Sequence, residues 1–233
     1  MHGVLFDLDG TLLDIDLSGF FDRYFSALSE LFLRIEPTLK ANTLASSLQD
    51  ATAAMMRSHA GVLNQSVFNE TFFQRTTIDL FAYEEQLAKF YDNDFAALGD
   101  GYKPRPGARA AVESALRLGL EVVIATNPVF PQAAVRQRLR WAGLSDLPLQ
   151  AVTSYENMTA CKPFPEYFRQ AAALGGLNPR DCMMVGDDRA LDLPAADIGM
   201  LTFYVGAESD VAADFSGDIA TLADDLLPRL AGL

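Results

Sequence analysis

The feature that most constrains this chain is a break in hydrophobic rhythm at 99–107. The run Gly-Asp-Gly-Tyr-Lys-Pro-Arg-Pro-Gly concentrates glycine and proline and interrupts any regular element. Before it, from about 17 to 98, apolar residues recur at helical spacing. Phe20, Phe21, Tyr24, Phe25, Leu28, Leu31 and Phe32 share one broad face. Phe68, Phe72 and Phe73, then Phe81, Leu87, Phe90, Tyr91 and Phe95, continue the pattern. With little strand alternation, this stretch reads as about four helices. After the break, helical patterns at 108–118, 131–142, 166–174 and 190–198 alternate with short apolar runs at 121–125, 151–152, 182–185 and 200–205. Such alternation predicts a parallel sheet covered on both faces. One further strand, at 4–8, precedes the helical stretch. The expected architecture is α/β, a doubly wound parallel sheet with an all-helical cap inserted after the first strand. The expected division is a core of 1–15 and 100–233 and a cap of 16–99, with hinges at 14–18 and 99–107.

Charge narrows the partners. The chain has 233 residues and a formal net charge of −13. A phosphate backbone needs Lys and Arg to replace its counterions, so nucleic acid is not an expected partner. The same charge argues against an anionic membrane surface. A small phosphorylated molecule is not, because a local cation can reverse the potential of one pocket. Two cysteines, Cys161 and Cys182, and two histidines, His2 and His59, show no zinc-ligand spacing. The lone cysteine pair points to reduced thiols and a cytoplasmic setting. The N-terminus lacks the pattern of a signal peptide, and no apolar run approaches the roughly 20 residues that span a bilayer. The sequence leaves the oligomeric state open.

Four segments carry chemistry. Val4-Leu5-Phe6 runs into Asp7-Leu8-Asp9-Gly10-Thr11. Residues two apart on a strand point to the same side, so Asp7 and Asp9 can face one site. Carboxylates about 4 Å apart repel by roughly 4 kcal/mol at an effective dielectric of about 20, which calls for a cation or a shared proton. An ordinary Asp/Gly turn is the alternative. The position favours chemistry, because open α/β sheets bind ligands at the carboxyl ends of their strands. Thr126 and Asn127 close a second buried run, and a hydroxyl there can donate to a phosphate oxygen. Lys162 is pinned by Pro163 and Pro165 just before a helix and can neutralise an aspartate or a phosphoryl group. Finally, Met183-Met184-Val185-Gly186 ends in Asp187 and Asp188, with Asp192 following. These hard oxygen donors suit Mg²⁺, although acids also favour an ordinary helix N-terminus.

Taken together, these segments resemble the four motifs of the haloacid dehalogenase-like (HAD) hydrolase superfamily, in order and across the whole core. Phe6-Asp7-Leu8-Asp9-Gly10-Thr11-Leu12 looks like the first motif, Thr126 the second, Lys162-Pro163-Phe164-Pro165-Glu166 the third, and Gly186-Asp187 through Asp192 the fourth. The resemblance implies Asp7 as the phosphoryl-accepting nucleophile and Asp9 as general acid and base. It implies Thr126, Asn127, Lys162 and Gly10 around the phosphate. Mg²⁺ would be held by Asp7, the backbone carbonyl of Asp9, Asp187 and Asp192, with Asp188 a further candidate. The dehalogenases lack the second aspartate, so Asp9 points to the phosphatase and phosphomutase branch. The expected function is a Mg²⁺-dependent phosphatase acting on a small phosphorylated metabolite. A phosphomutase working on a sugar phosphate is the alternative, and a non-catalytic phospho-receiver module a distant one. The cap aromatics, Phe20, Phe21, Phe25, Phe72 and Phe73 among them, read as core more readily than as ligand contacts. Arg23, Arg57, His59 and Arg75 are the cap groups able to meet a charged substrate, each more readily read as solvated.

Overall fold

The computed structural model describes residues 1–57, 61–207 and 211–231. Its sheet grows from a strand that is apolar on both faces. Strand β1 (Gly3–Phe6) is wholly buried, as a central strand of a covered parallel sheet must be. A short β2 (Leu13–Asp14) leads into the insertion, and β3 (Lys103–Pro104) leads out of it. Then follow β4 (Glu121–Ile124), β5 (Ala151–Val152), β6 (Cys182–Gly186), β7 (Leu201–Val205) and β8 (Phe215–Gly217). The main sheet has the order β5-β4-β1-β6-β7-β8, and its pairings are parallel. The chain starts in the middle, builds two strands outward on one side, then crosses back to build the other side. Phe6 is level with both Ile124 of β4 and Val185 of β6. The residues after those three strands therefore emerge at one edge, beside the reversal of strand order where such folds bind ligands.

The insertion is helical, as its spacing predicts: α1 (Leu17–Ile35), α2 (Ala41–Met55), α3 (Asn64–Thr76), a 3₁₀ turn (Leu80–Tyr83), α4 (Glu84–Asp92) and α5 (Asp94–Ala97). Asp16 starts α1 by accepting the Ser18 N–H at 3.1 Å, a side-chain cap for an otherwise open donor. Phe20, Tyr24, Leu28, Leu31 and Phe32 then form its buried stripe at the expected period. The core helices are α6 (Ala108–Arg117), α7 (Gln132–Trp141) and α8 (Pro165–Leu174). A C-terminal helical stretch consists of α9 (Ile219–Thr221), a π turn (Leu222–Leu226) and α10 (Leu227–Ala231). That stretch and β8 lie beyond the elements read from the sequence.

Core and insertion share one hydrophobic cluster. Phe95 of α5 stacks on Trp141 of α7 at 5.5 Å between ring centroids, and Phe20 meets the same indole edge-on at 5.9 Å. The N-terminus of α3 is tied to core loops, with the Asn64 N–H donating to Met158 O at 2.9 Å and the Gln65 N–H to Tyr155 O at 2.9 Å. The two linker stretches expected to act as hinges pair with each other, Leu13 with Pro104 and Asp14 with Lys103, as an antiparallel ribbon.

Two expectations are corrected. The first strand ends at Phe6 rather than Leu8, because the Leu8 carbonyl accepts from both Leu12 and Leu13 and starts a turn. The segment 190–198 is not an α-helix. It is a loop closed by Asp188 accepting the Ala190 and Leu191 N–H groups, then a 3₁₀ helix, Leu193–Ile198. Pro194 explains this, since its ring would clash with the carbonyl four residues back if an α-helix began at Ala190. Among the aromatics, Phe20 and Phe72 are fully buried, whereas Phe73 is 46% exposed.

Candidate active site

Three strand ends deliver the site. Asp7 follows β1 and is held there by its N–H donating to Val185 O at 2.9 Å. Asp187 follows β6, and Thr126 lies just past β4. Lys162 arrives on the loop before α8, and Asn127 fixes that loop by accepting the Lys162 N–H at 3.2 Å. The Lys162 ammonium is buried between two carboxylates, 2.6 Å from Asp7 Oδ1 and 2.6 Å from Asp192 Oδ1. Asp187 accepts from the Thr11 hydroxyl at 2.8 Å.

The charges here do not cancel. Asp7, Asp187 and Asp192 can bring ligand oxygens to within 4.8 Å of one another. Lys162 is the one cation hydrogen-bonded to these three acids, while Arg105, donating to Gly10 O, acts on Asp187 without a salt bridge. Burial drives the Asp7 carboxyl well above the ordinary carboxylate range; Lys162 opposes this, while Asp192 and Asp9 add to it. Burial also raises Asp187, against the Thr11 hydrogen bond. For Lys162, burial alone would depress the ammonium, but Asp192 and Asp7 reverse the effect and hold it raised. A divalent cation bound by oxygen would relieve the surplus negative charge, and the donor set fits a hard ion such as Mg²⁺. Glycines make the room. Gly10 turns with φ of 90°, and a Cβ there would overlap the Asp187 carboxylate. A Cβ on Gly186 would overlap that of Asp192.

Asp9 occupies a different setting. Its Oδ2 is paired with the guanidinium of Arg138, a fully buried residue of α7, and accepts from the Thr126 hydroxyl at 3.4 Å. The guanidinium lies 4.2 Å from the Phe130 ring centroid, a cation–π contact that helps to offset its desolvation. The side chain of Asp9 is thus separate from the three-carboxylate cluster. Thr126 is itself braced, since its carbonyl accepts from the Thr153 hydroxyl at 2.7 Å and the Tyr167 hydroxyl at 2.9 Å.

Asp7, Asp9, Thr126, Asn127, Lys162, Asp187, Asp188 and Asp192 all line one cavity of about 230 Å³. The sequence reading therefore assembles at one place, with three adjustments. Asp188 is exposed and its Oδ1 is engaged by its own loop, so it lies outside the carboxylate cluster. The Gly10 N–H donates to Leu13 O at 2.8 Å, so that group is not offered to a phosphate; the glycine serves as space. Arg138 was not among the residues read from the sequence. Its signal was an arginine within the stripe Ala134, Val135, Arg138, Leu139, an odd residue for a buried helix face. Of the cap cations, Arg23 donates to the Tyr102 hydroxyl, Arg75 pairs with Asp50 at 2.8 Å, and His59 lies outside the described residues.

A family model for haloacid dehalogenase-like hydrolases matches residues 1–197. The chain belongs to this family. It is a hydrolase of that family, with the helical insertion following the first motif. A curated relative, Phosphatase MT3486 of Mycobacterium tuberculosis, is 29% identical over 175 residues, covering 71% of this chain and 78% of the relative. The crystal structure of a HAD phosphatase from Thermococcus onnurineus superposes with a TM-score of 0.60 at 20% identity, covering 97% of this chain and 98% of that one. A β-phosphoglucomutase from Clostridium difficile superposes with a TM-score of 0.57 at 15% identity, covering 100% and 97%. Likenesses at this identity establish the shared fold, and hydrolases and mutases both have it. Among the described residues no helix is long and apolar enough to cross a membrane.

Proposed function

We propose that the HAD-like hydrolase described here is a Mg²⁺-dependent phosphatase that hydrolyses a small phosphate monoester through an aspartyl phosphate on Asp7. The observation that supports it most is the pair of distinct carboxylate environments opening onto one cavity, Asp7 against Lys162 and Asp9 against Arg138. We assign 1–15 and 100–233 to the catalytic core and 16–99 to the cap.

In this reading Lys162 aims Asp7 and favours its ionised form against burial. An Asp7 oxygen attacks phosphorus as the bond to the alcohol oxygen breaks, and Asp9 gives that oxygen a proton. Asp9 then takes a proton from water, whose oxygen attacks the aspartyl phosphate, releases inorganic phosphate and regenerates Asp7. Thr126 and Lys162 donate to phosphoryl oxygens, and Asn127 keeps Lys162 in place. Mg²⁺, when bound by Asp7, Asp187, Asp192 and the backbone carbonyl of Asp9, supplies positive charge against the transferring phosphoryl group. Arg138 fixes the Asp9 side chain. The family membership leaves no place for a phospho-receiver module. The cytoplasm is the proposed setting, and small phosphorylated metabolites are the proposed partners.

The test is release of inorganic phosphate from a panel of phosphorylated metabolites, with and without Mg²⁺, in the wild type, Asp7→Asn and Asp9→Asn. Undiminished turnover in either variant would refute the mechanism. Isomer formation in place of phosphate release would make the enzyme a mutase.

A further inference from the structure

The cavity is chemically one-sided. Its polar lining comes from the core, from the strand ends that carry Asp7, Thr126 and Asp187 and from the loop that carries Lys162. Its remaining lining is apolar: Leu17, Phe21 and Met56 from the insertion, with Val129, Phe130 and Leu191 from the core. No Lys, Arg, Ser, Asn or Gln of the insertion lines the cavity among the described residues. Of the insertion's arginines, Arg23 meets Tyr102, Arg34 Asp94 and Arg75 Asp50, while Arg57, next to Met56, is exposed and outside the cavity lining.

We propose that the alcohol half of the substrate is apolar, a short alkyl or phenyl-sized group seated against Leu17, Phe21 and Met56, rather than a sugar or a carboxylate-bearing group. This rests on the phosphatase reading, which places the phosphoryl group at Asp7 and Lys162 and leaves the opposite wall for the alcohol. A sugar placed there would give up hydrogen bonds to water and meet no partner in exchange, a cost that a site without matching donors imposes. A second phosphate or a carboxylate would face no cation on the described insertion wall and several acids across the cavity. At about 230 Å³ the space is below the roughly 300–1,000 Å³ of pockets for drug-sized ligands, so the fitting group is small. Leu17 and Met56 are 37% and 41% exposed, apolar surface that such a group would cover.

The experiment compares esters of similar leaving-group reactivity: methyl, butyl and hexyl phosphate against glycerol phosphate and glucose 6-phosphate, by phosphate release with Mg²⁺. Burying each added methylene should raise kcat/KM roughly fourfold until the wall is covered. Hexyl phosphate should exceed glucose 6-phosphate at least tenfold. Met56→Gln and Phe21→Ala should narrow the hexyl-to-methyl ratio about tenfold. Met56 is exposed enough for its substitution to leave folding intact, which a melting curve verifies. Equal or better turnover of the polar esters, or an unchanged ratio in both variants, overturns the apolar assignment while leaving the phosphatase standing. Absence of phosphate release from every ester, methyl phosphate included, overturns the phosphatase reading and this assignment with it.

Discussion

The core wall of the cavity gathers Asp7, Asp187 and Asp192, with Lys162 bonded to the first and last of them, while the insertion wall offers Leu17, Phe21 and Met56. The first wall stands on strand ends locked by parallel pairing, where backbone hydrogen bonds leave side chains little freedom. The second stands on the start of α1 and the C-terminal end of α2, where Leu17 and Met56 keep 37% and 41% of their surface open. The difference shows how work can be divided within one fold. Groups that must meet a phosphoryl centre within tenths of an ångström belong on the sheet. Groups that only exclude water and select a shape can sit on an inserted element.

The sharpest way to break the comparison is on the core wall. Asp7→Asn should lower kcat by at least about 10³-fold, and Asp9→Asn by about 10²–10⁴-fold, as expected for loss of the attacking group and of the proton-transfer group. Single-turnover phosphate release measures both. The proposed wall substitution Met56→Gln should instead act on the choice of ester.

The next effect is on stability. Arg138→Met leaves the buried Asp9 carboxylate without its ion-pair partner, a change that typically costs about 3–5 kcal/mol. Urea unfolding should show it, and Arg138→Lys should recover part of the loss. An unchanged midpoint would mean that the pair is not held as the structure shows.

Mg²⁺ provides a third comparison. Ligand at 100 times its dissociation constant stabilises the folded state by about 2.7 kcal/mol, so the melting temperature should rise with added Mg²⁺. Asp187→Asn should abolish that rise, and Met56→Gln should retain it. A rise equal in all three proteins would place the ion elsewhere.

The smallest effect concerns the two thiols. Cys161 and Cys182 are buried, and burial pushes each thiol up to about 12. At pH 8 the native protein should therefore hold almost no thiolate and react slowly with an alkylating reagent, while urea-unfolded protein should react at both positions. Mass spectrometry after timed labelling distinguishes the two.

The legible part of the molecule was the part whose signal is local. Apolar runs marked β1, β4, β6 and β7, and their ends marked Asp7, Thr126 and Asp187, because a parallel strand buried on both faces must be apolar throughout and its ligands must lie past its end. Helical spacing marked α1 and the buried residues Phe20, Leu28 and Phe32 in the same way. The segment 190–198 carries a helical signal that the fold overrides, since acids followed by apolar residues also fit a helix start. Only Pro194 and the Asp188 turn decide against one.

By itself, then, the sequence determined the family, the sheet, the inserted helices and the residues that meet at the strand ends. Tertiary structure alone decided the partners: Asp9 with Arg138 across 129 positions of chain, Lys162 with both Asp7 and Asp192, and an apolar insertion wall facing a charged floor. The physical reason is range. Strand and helix signals come from neighbours within a few positions, whereas a buried arginine is tolerable only beside a carboxylate brought from elsewhere, and nothing near it in sequence names that carboxylate.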